Sequence, residues 1–279
     1  MLRRPSHIHE PVSRLAAWSG RFALFGFAVV VLSIVIVRTG ILEIVPALAT
    51  FGAGLVFAGF AILLAFASFI TIWRQGLAGL RYSILGMFLG VLLLAYPGYL
   101  GYRASKLPMI ADITTDPGNP PGFDVLARLR PRGSSAYPGA AVAAKQRAAY
   151  PDIAPLQLEV PPKIAYDLAL DVVTRRRWHV VDTFAPVPGR RAGMIEAVAR
   201  TLIMGFRDDV VIRVSAQGTG SRVDMRSASR YGMHDFGANA SRVRATLSAI
   251  EDEVNALPET PVAPPPPKKG QPAPKRPRR

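Results

Sequence analysis

The stretch FALFGFAVVVLSIVIV at residues 22–37 is the first of three apolar runs that decide the fold of this chain. The second run is IVPALATFGAGLVFAGFAILLAFASFITIW at residues 44–73, and the third is YSILGMFLGVLLLAYPGYLGY at residues 82–102. They are 16, 30 and 21 residues long and contain no Asp, Glu, Lys, Arg or His. The hydrocarbon core of a bilayer is spanned by roughly 20 residues of α-helix. The sequence therefore predicts three transmembrane helices within residues 22–102.

The charges that flank these runs predict their orientation. Residues 1–21 contain four arginines and one glutamate, and the loop between the second and third runs contains Arg74 and Arg81 without an acid. The loop between the first two runs contains only Arg38 and Glu43. Because basic loops stay on the cytoplasmic side, we expect the N-terminal segment and the second loop in the cytoplasm. Three spans then place the C-terminal half outside the cytoplasm.

A cleaved signal peptide is the alternative interpretation of the first run. Ala47-Leu48-Ala49 has the small-residue pattern of a cleavage site, but it lies far beyond the end of that run. Pro46 is instead typical of the first turn of a second helix. The sequence therefore favours three uncleaved spans.

The composition of the spans favours an anchor over a transporter. Ionisable side chains mark most ion and proton paths through membranes, and the three runs contain none. Gly54 with Ala58, and Gly86 with Gly90, have the spacing of small residues that lets helices pack closely. We expect the three helices to pack on one another.

The soluble half divides into a lead-in and a core. Residues 103–161 are rich in Pro and Gly but hold enough apolar side chains to wrap the domain. Within residues 162–257, apolar spacings of three and four predict a helix that begins at Pro162 and a second helix over residues 243–257. Four strands are predicted between them, at residues 178–184, 194–201, 209–215 and 222–229. The sequence thus predicts a two-layer α+β domain with a roughly four-stranded antiparallel sheet, one face under two helices and the other face free.

Charge and cysteine content restrict the chemistry. The formal net charge is +15, and residues 1–102, 103–257 and 258–279 each carry an excess of five basic groups. Only the last segment is densely basic; it is Pro-rich, so we expect a disordered tail. Its extracytoplasmic side excludes nucleic acid and is consistent with anionic lipid heads or envelope polymers as partners. The alternative is a solvated tail without a specific partner. The absence of cysteine excludes disulfides, thiolate catalysis and cysteine metal sites.

The last predicted strand carries the candidate site. Arg222, Asp224, Arg226 and Arg230 alternate with apolar residues, so they share one face of the sheet. Planar guanidiniums bind phosphate and carboxylate groups, which makes this face a candidate anion site. The hypothesised ligand-binding set also includes Asp208, Asp209, Asp235 and Asn239. The structural alternative is that the arginines pair across strands with Asp208, Asp209 or Glu196.

The remaining polar residues give a poor catalytic signal. Asp235 or Asn239 is placed to cap the last helix. His179 and His234 lack the spacing of metal ligands, and no serine lies in a G-x-S-x-G context. The sequence therefore predicts no metal site and no cofactor.

Several motifs of the soluble half carry a family resemblance. They read DITTDP at residues 112–117, YPDI at 150–153, GFRDDVVIRV at 205–214 and SRVDMRSASR at 221–230, followed by Asp235, Gly237, Asn239 and Ala240. From residue 110 to residue 249 the chain resembles the bacterial domain of unknown function 1499 family. The resemblance implies a bacterial protein and no established activity. Together with the three predicted spans, it predicts a location in the bacterial inner membrane.

Two functions remain open at this point. The first is a membrane-anchored extracytoplasmic binding or cell-envelope accessory protein, whose arginine strand contacts an anionic lipid, polymer or membrane-protein partner. The second is an envelope-acting hydrolase that uses Asp208, Asp209, Asp224 and Asp235. The poor catalytic signal favours the first.

Overall fold

A computed structural model of the chain describes residues 10–40, 44–130, 135–189 and 191–258. The predicted tail lies outside these residues beyond Pro258, as do residues 1–9 of the N-terminal segment that is predicted to be cytoplasmic. Within these described residues, three helices are long and apolar enough to cross a membrane, which confirms the prediction. They are α1 (Arg14–Thr39), α2 (Ile44–Gln75) and α3 (Leu80–Lys106), and each packs against the other two.

Small residues lie where the membrane helices touch. A Cβ atom on Gly86 would lie 1.9 Å from Oγ of Ser19, and one on Gly54 would lie 2.7 Å from a methyl group of Val30. Gly90 is equally close to α2, where its Cβ would lie 2.5 Å from Ile62. The small residues singled out by their spacing are therefore the contact points of the bundle.

The soluble domain is α+β, as predicted, with a wider sheet. Its elements are β1 (Asp112–Thr114), α4 (Val125–Arg128), α5 (Ala140–Ala149), β2 (Leu156–Leu158), α6 (Pro162–Arg175), β3 (His179–Phe184), β4 (Gly193–Arg200), β5 (Arg207–Gln217), β6 (Gly220–Ser229) and α7 (Ala238–Asn255). The sheet is antiparallel with the order β1-β6-β5-β4-β3, and β2 also pairs with β6. The four long strands and helices α6 and α7 correspond to the predicted elements. The strands β1 and β2 come from the lead-in.

One face of the sheet carries the main core. Helices α6 and α7 pack on it through residues spaced three and four apart, such as Ala165, Ala169 and Val173 of α6. The strands contribute alternating residues, including Ile212 of β5 and Met225 of β6, which are both fully buried. This face is the predicted helical layer.

The opposite face is not free, which corrects the prediction. The lead-in crosses it, and Phe123 and Leu126 pack on Val198, Val211 and Ala228. This face also carries the charged side chains of β6, and buried charges require hydrogen-bond partners that the lead-in provides. The two layers predicted for the core are therefore extended by a third, irregular layer.

The soluble domain rests on one end of the helix bundle. The loop between β4 and β5 reaches the end of α1, where Arg38 donates hydrogen bonds to the carbonyl oxygens of Leu202 and Ile203 at 2.6 and 3.1 Å. Met204 of the same loop is buried against Val37 and Ala47. The ends of α1 and α3 and the start of α2 thus form a common surface with the domain.

Candidate functional site

Arg226, at the centre of the candidate face, is a buried ion-pair partner. Its Nε and Nη2 donate to the two carboxylate oxygens of Asp112 at 2.9 and 2.7 Å, and only 2% of the residue is exposed. The guanidinium lies 4.6 Å from the ring centroid of Phe123 and 5.6 Å from that of Tyr137. Its partner is therefore Asp112 of the lead-in, instead of the strand carboxylates named from the sequence.

Asp224 is the next buried carboxylate on this face. It accepts hydrogen bonds from Arg222 and from Arg213, whose Nη2 lies 3.0 Å away. Arg222 also binds Asp116 of the lead-in at 2.7 Å. The hydrogen bond to Asp224 raises the pKa of Arg222, which keeps the guanidinium charged. These four side chains form one network that ties the lead-in to the sheet.

Asp209 is held by two arginines at the other end of the face. Arg230 lies 2.8 Å from one carboxylate oxygen, and Nε of Arg130 donates to the other at 2.6 Å. Arg130 also donates to the carbonyl oxygen of Ala228. The sequence analysis missed Arg130, because nothing in an irregular segment indicates which strand it will reach.

Glu196 of β4 accepts backbone hydrogen bonds. Its carboxylate oxygens receive the N–H groups of Asp124 and Leu126 at the start of α4, the latter at 2.8 Å. The side chain is 3% exposed. It therefore holds the lead-in against the sheet instead of pairing with an arginine.

The other candidate residues lie on the helical face of the sheet. Nη2 of Arg242 binds Asp208 at 2.5 Å, while Nη1 donates to Asn239 and Ser227. Asp235 accepts the N–H groups of Gly237 and Asn239, each at 2.8 Å, so its carboxylate satisfies donors of the first turn of α7 as the sequence predicted, although Gly237 occupies the N-cap position. Burial raises the pKa of Asp235.

The predicted site residues thus form two groups on opposite faces. One group lies under the lead-in and comprises Arg222, Asp224, Arg226, Arg230 and Asp209. The other group lies under α7 and comprises Asp208, Asp235 and Asn239. Every charged member has a protein partner, and the four aspartates named for hydrolysis are at most 7% exposed. This pairing favours the structural alternative for these residues, because a ligand must displace a buried partner to reach them.

An open cavity exists elsewhere, between α3 and the soluble domain. Its volume is about 320 Å³. The polar part of its wall comes from Arg103, Arg200, Thr201, Asp235 and Arg242, and the apolar part includes Tyr96, Leu100, Leu202, Met204, Phe206 and Phe236. We call it the junction cavity. Two of the predicted residues therefore contribute to this cavity. Asp235 lines it, and Asp208 binds Arg242, which is part of its wall.

Basic side chains concentrate at this end of the domain. Five of them, which we call the junction cluster, come from the ends of α1, α3 and β4 and from the start of β5. They are Arg38, Arg103, Lys106, Arg200 and Arg207. Within the described ranges of the chain, no carboxylate lies within ion-pair distance of any of the five. Sequence reasoning missed them as a group, because they are far apart in the chain.

Fold and site together define a class of protein: an α+β domain with buried ion-pair networks, joined to a three-helix membrane segment. Residues 112–250 match the profile of the family described as "Protein of unknown function (DUF1499)". Residues 112–250 therefore belong to this family, which confirms the resemblance found in their motifs. No curated protein matches the chain.

Several solved structures share a weak likeness with the domain. The crystal structure of Ara h 8.0201 has 12% identity and a TM-score of 0.23, and the match covers 37% of this chain and 95% of that one. TTHA0849 from Thermus thermophilus has 15% identity and a TM-score of 0.22, with 37% and 95% covered. CalU16 from Micromonospora echinospora has 15% identity and a TM-score of 0.21, with 36% and 76% covered. Likenesses of this strength carry no functional argument.

Proposed function

We propose that this protein is a membrane-anchored binding protein of the bacterial cell envelope. In this proposal its three helices hold it in the inner membrane, its soluble domain faces the outside of the cytoplasm, and the domain binds an anionic envelope component at its membrane-facing end. The proposal moves the anion site from the strand arginines, which are paired, to the junction cluster.

The observation that carries the proposal is the contrast between these two sets of arginines. Arg226 is buried and bound to Asp112 through both carboxylate oxygens. Arg200 is exposed, and among the described residues its Nη1 donates only to the carbonyl oxygen of Arg38, at 3.2 Å. A guanidinium with unused N–H groups at a membrane surface attracts anionic lipid heads or polymers by about 1 kcal/mol per residue.

The proposed test uses the full-length protein in nanodiscs of zwitterionic lipid, with or without an anionic lipid fraction. Trp18 and Trp73 are replaced by Phe so that Trp178 reports unfolding of the soluble domain. We expect the anionic fraction to raise the unfolding temperature, because a ligand that binds only the folded state stabilises it. Added salt is expected to weaken the effect.

A matched charge control is available at the far end of the domain. Arg191 lies two residues before β4, and Arg200 is the last residue of that strand. The seven steps from Gly193 to Arg200 place the two ends of β4 roughly 23 Å apart. We expect Arg200→Gln combined with Arg207→Gln to reduce the stabilisation by anionic lipid, and Arg191→Gln to leave it unchanged. Equal unfolding temperatures of the unsubstituted protein in the two lipids would contradict the proposed function.

A further inference from the structure

We propose that the junction cavity binds one anionic phospholipid, with the phosphate between Arg103 and Arg200 and the first part of an acyl chain along α3. This inference rests on the proposed function and names its ligand and its site. Three features of the cavity support it: the arrangement of α3, the charges of the wall, and the size and position of the cavity.

The wall contributed by α3 changes from apolar to basic along one helix face. Tyr96, Leu100 and Arg103 line the cavity and are spaced four and three residues apart, so they lie one above another. Arg103 follows directly after the apolar run of residues 82–102. Arginines at helix ends extend to the level of the lipid head groups. The face therefore offers a chain-binding surface below a phosphate-binding group.

The charges of the wall leave two guanidiniums for a ligand. Arg242 is bound to Asp208, and both carboxylate oxygens of Asp235 accept backbone N–H groups at the start of α7. Asp235 is the one acid among the described lining residues, and these N–H groups offset its repulsion of an anion. Arg103 and Arg200 have no ion-pair partner within the described part of the chain. Guanidiniums form strong, directional hydrogen bonds with phosphate oxygens.

The size and position of the cavity fit part of a lipid. A volume of about 320 Å³ holds on the order of ten water-sized groups, since water occupies roughly 30 Å³ in the liquid. That volume accommodates a phosphate and several methylene groups but not a whole phospholipid. The remaining chain would lie in the bilayer, and the exposed side chains of Tyr96 and Leu202 at the rim are suited to contact it.

The test is native mass spectrometry of the full-length protein released from nanodiscs that contain equal amounts of phosphatidylglycerol and phosphatidylcholine. We expect one phosphatidylglycerol to remain bound. Arg103→Gln and Arg200→Gln are each expected to weaken its retention about fivefold, which corresponds to one basic contact near an anionic surface. Arg191→Gln is the charge control and is expected to retain the lipid.

Two substitutions fill the cavity without changing its charge. Leu100→Trp blocks it from the membrane side and Ala238→Leu from the domain side, so the loss of either variant to misfolding leaves the other as a test. Both are expected to abolish retention, whereas Leu92→Trp, at an exposed position of α3 outside the cavity, is expected to retain the lipid.

The outcomes separate the inference from the proposed function. If both filled variants keep the lipid while the arginine variants lose it, the anion binds outside the cavity, and the inference fails while the proposed function stands. If inorganic phosphate displaces the lipid and stabilises the filled variants as well as the unsubstituted protein, the site recognises a free anion, and the lipid inference fails. If the unsubstituted protein retains phosphatidylglycerol and phosphatidylcholine equally, both fail.

Discussion

At the residue scale, the buried pair of Arg226 and Asp112 gives the sharpest test of how the lead-in is held. Arg226→Ala leaves the carboxylate of Asp112 buried without its cation, so we expect the free energy of unfolding to fall by about 3–5 kcal/mol. Arg222→Ala is the matched control, since Arg222 is partly exposed and Asp224 keeps Arg213; we expect a loss of about 1 kcal/mol or less. Urea unfolding of the full-length protein in detergent measures both. A different result would instead support an anion site on the strand: phosphate stabilises the unsubstituted protein but not Arg226→Ala, and Arg226→Ala is as stable as the unsubstituted protein without phosphate.

The partner of Arg226 could not be predicted from the sequence. The alternation of β6 correctly places Arg226 and Asp224 on one face, because the strand period is two residues. Asp112 is 114 positions away from Arg226, in a segment without periodicity. The family motif DITTDP was the one available signal, and it marked Asp112 without indicating its partner.

Tyr137 gives a prediction in alkaline solution. Burial, and secondarily the charge of Asp112, raises the pKa of Tyr137 from 10.0 to about 12. Between these two values the unfolded chain releases the phenolic proton and the folded chain retains it. The folded state therefore binds more protons, and the free energy of unfolding falls as pH rises through this window.

Tyr137→Phe is expected to remove this part of the alkaline loss, which urea unfolding at a series of pH values measures. At neutral pH we expect the substitution to be neutral or slightly stabilising, because the hydroxyl is buried without a hydrogen-bond partner among the described residues. Identical pH profiles for the two proteins would contradict the assignment.

At the element scale, periodicity explains which parts of the fold were predictable. Helices α6 and α7 and strands β3 to β6 are long enough for spacings of three and four, or of two, to be recognised. Strands β1 and β2 have three residues each and take their place from pairing with β6, so no local pattern marks them. The closure of the second sheet face was missed for the same reason, since an irregular segment forms it.

Glu196 tests how the lead-in is attached. Replacing it with Ala removes the acceptor for two backbone N–H groups at the start of α4, and we expect a loss of about 1–3 kcal/mol. Hydrogen exchange is expected to accelerate across residues 116–130 more than in α6 or α7. Glu196→Gln keeps one acceptor oxygen and serves as the matched variant with an intermediate effect. Uniform acceleration across the whole domain would show that the lead-in does not open separately.

Gly86 tests the packing of the membrane helices. A Cβ atom there would collide with Ser19 of α1, so we expect Gly86→Val to destabilise the bundle by about 1–3 kcal/mol. Gly98 lies in the same helix, and a Cβ atom added there would meet no atom within 4 Å, which makes Gly98→Val the control. Thermal unfolding in detergent compares the two. Equal melting of both variants would contradict close packing at Gly86.

At the scale of the whole molecule, the membrane orientation determines what the domain can meet. The N–H of Ser13 donates to the carbonyl oxygen of Ala78 at 2.9 Å, and the N–H of Ala78 donates to that of Pro11 at 3.1 Å. The segment before α1 and the loop between α2 and α3 therefore share one end of the bundle, and the soluble domain rests on the other. Six arginines in the N-terminal segment and the second loop, opposed only by Glu10, predict that the first end is cytoplasmic.

A topology fusion tests this orientation. We expect a reporter enzyme that is active only outside the cytoplasm to function when fused after Leu257, just beyond α7. The same enzyme fused after Gly76, between α2 and α3, is expected to be inactive, while a fluorescent protein that folds only in the cytoplasm is expected to fluoresce there. If the fluorescent protein fluoresces when it is fused after Leu257, the domain faces the cytoplasm and the predicted orientation is wrong. In that orientation the basic segment of residues 258–279 would be accessible to nucleic acid. The junction cavity would then lie at the cytoplasmic leaflet, where anionic lipids are also available.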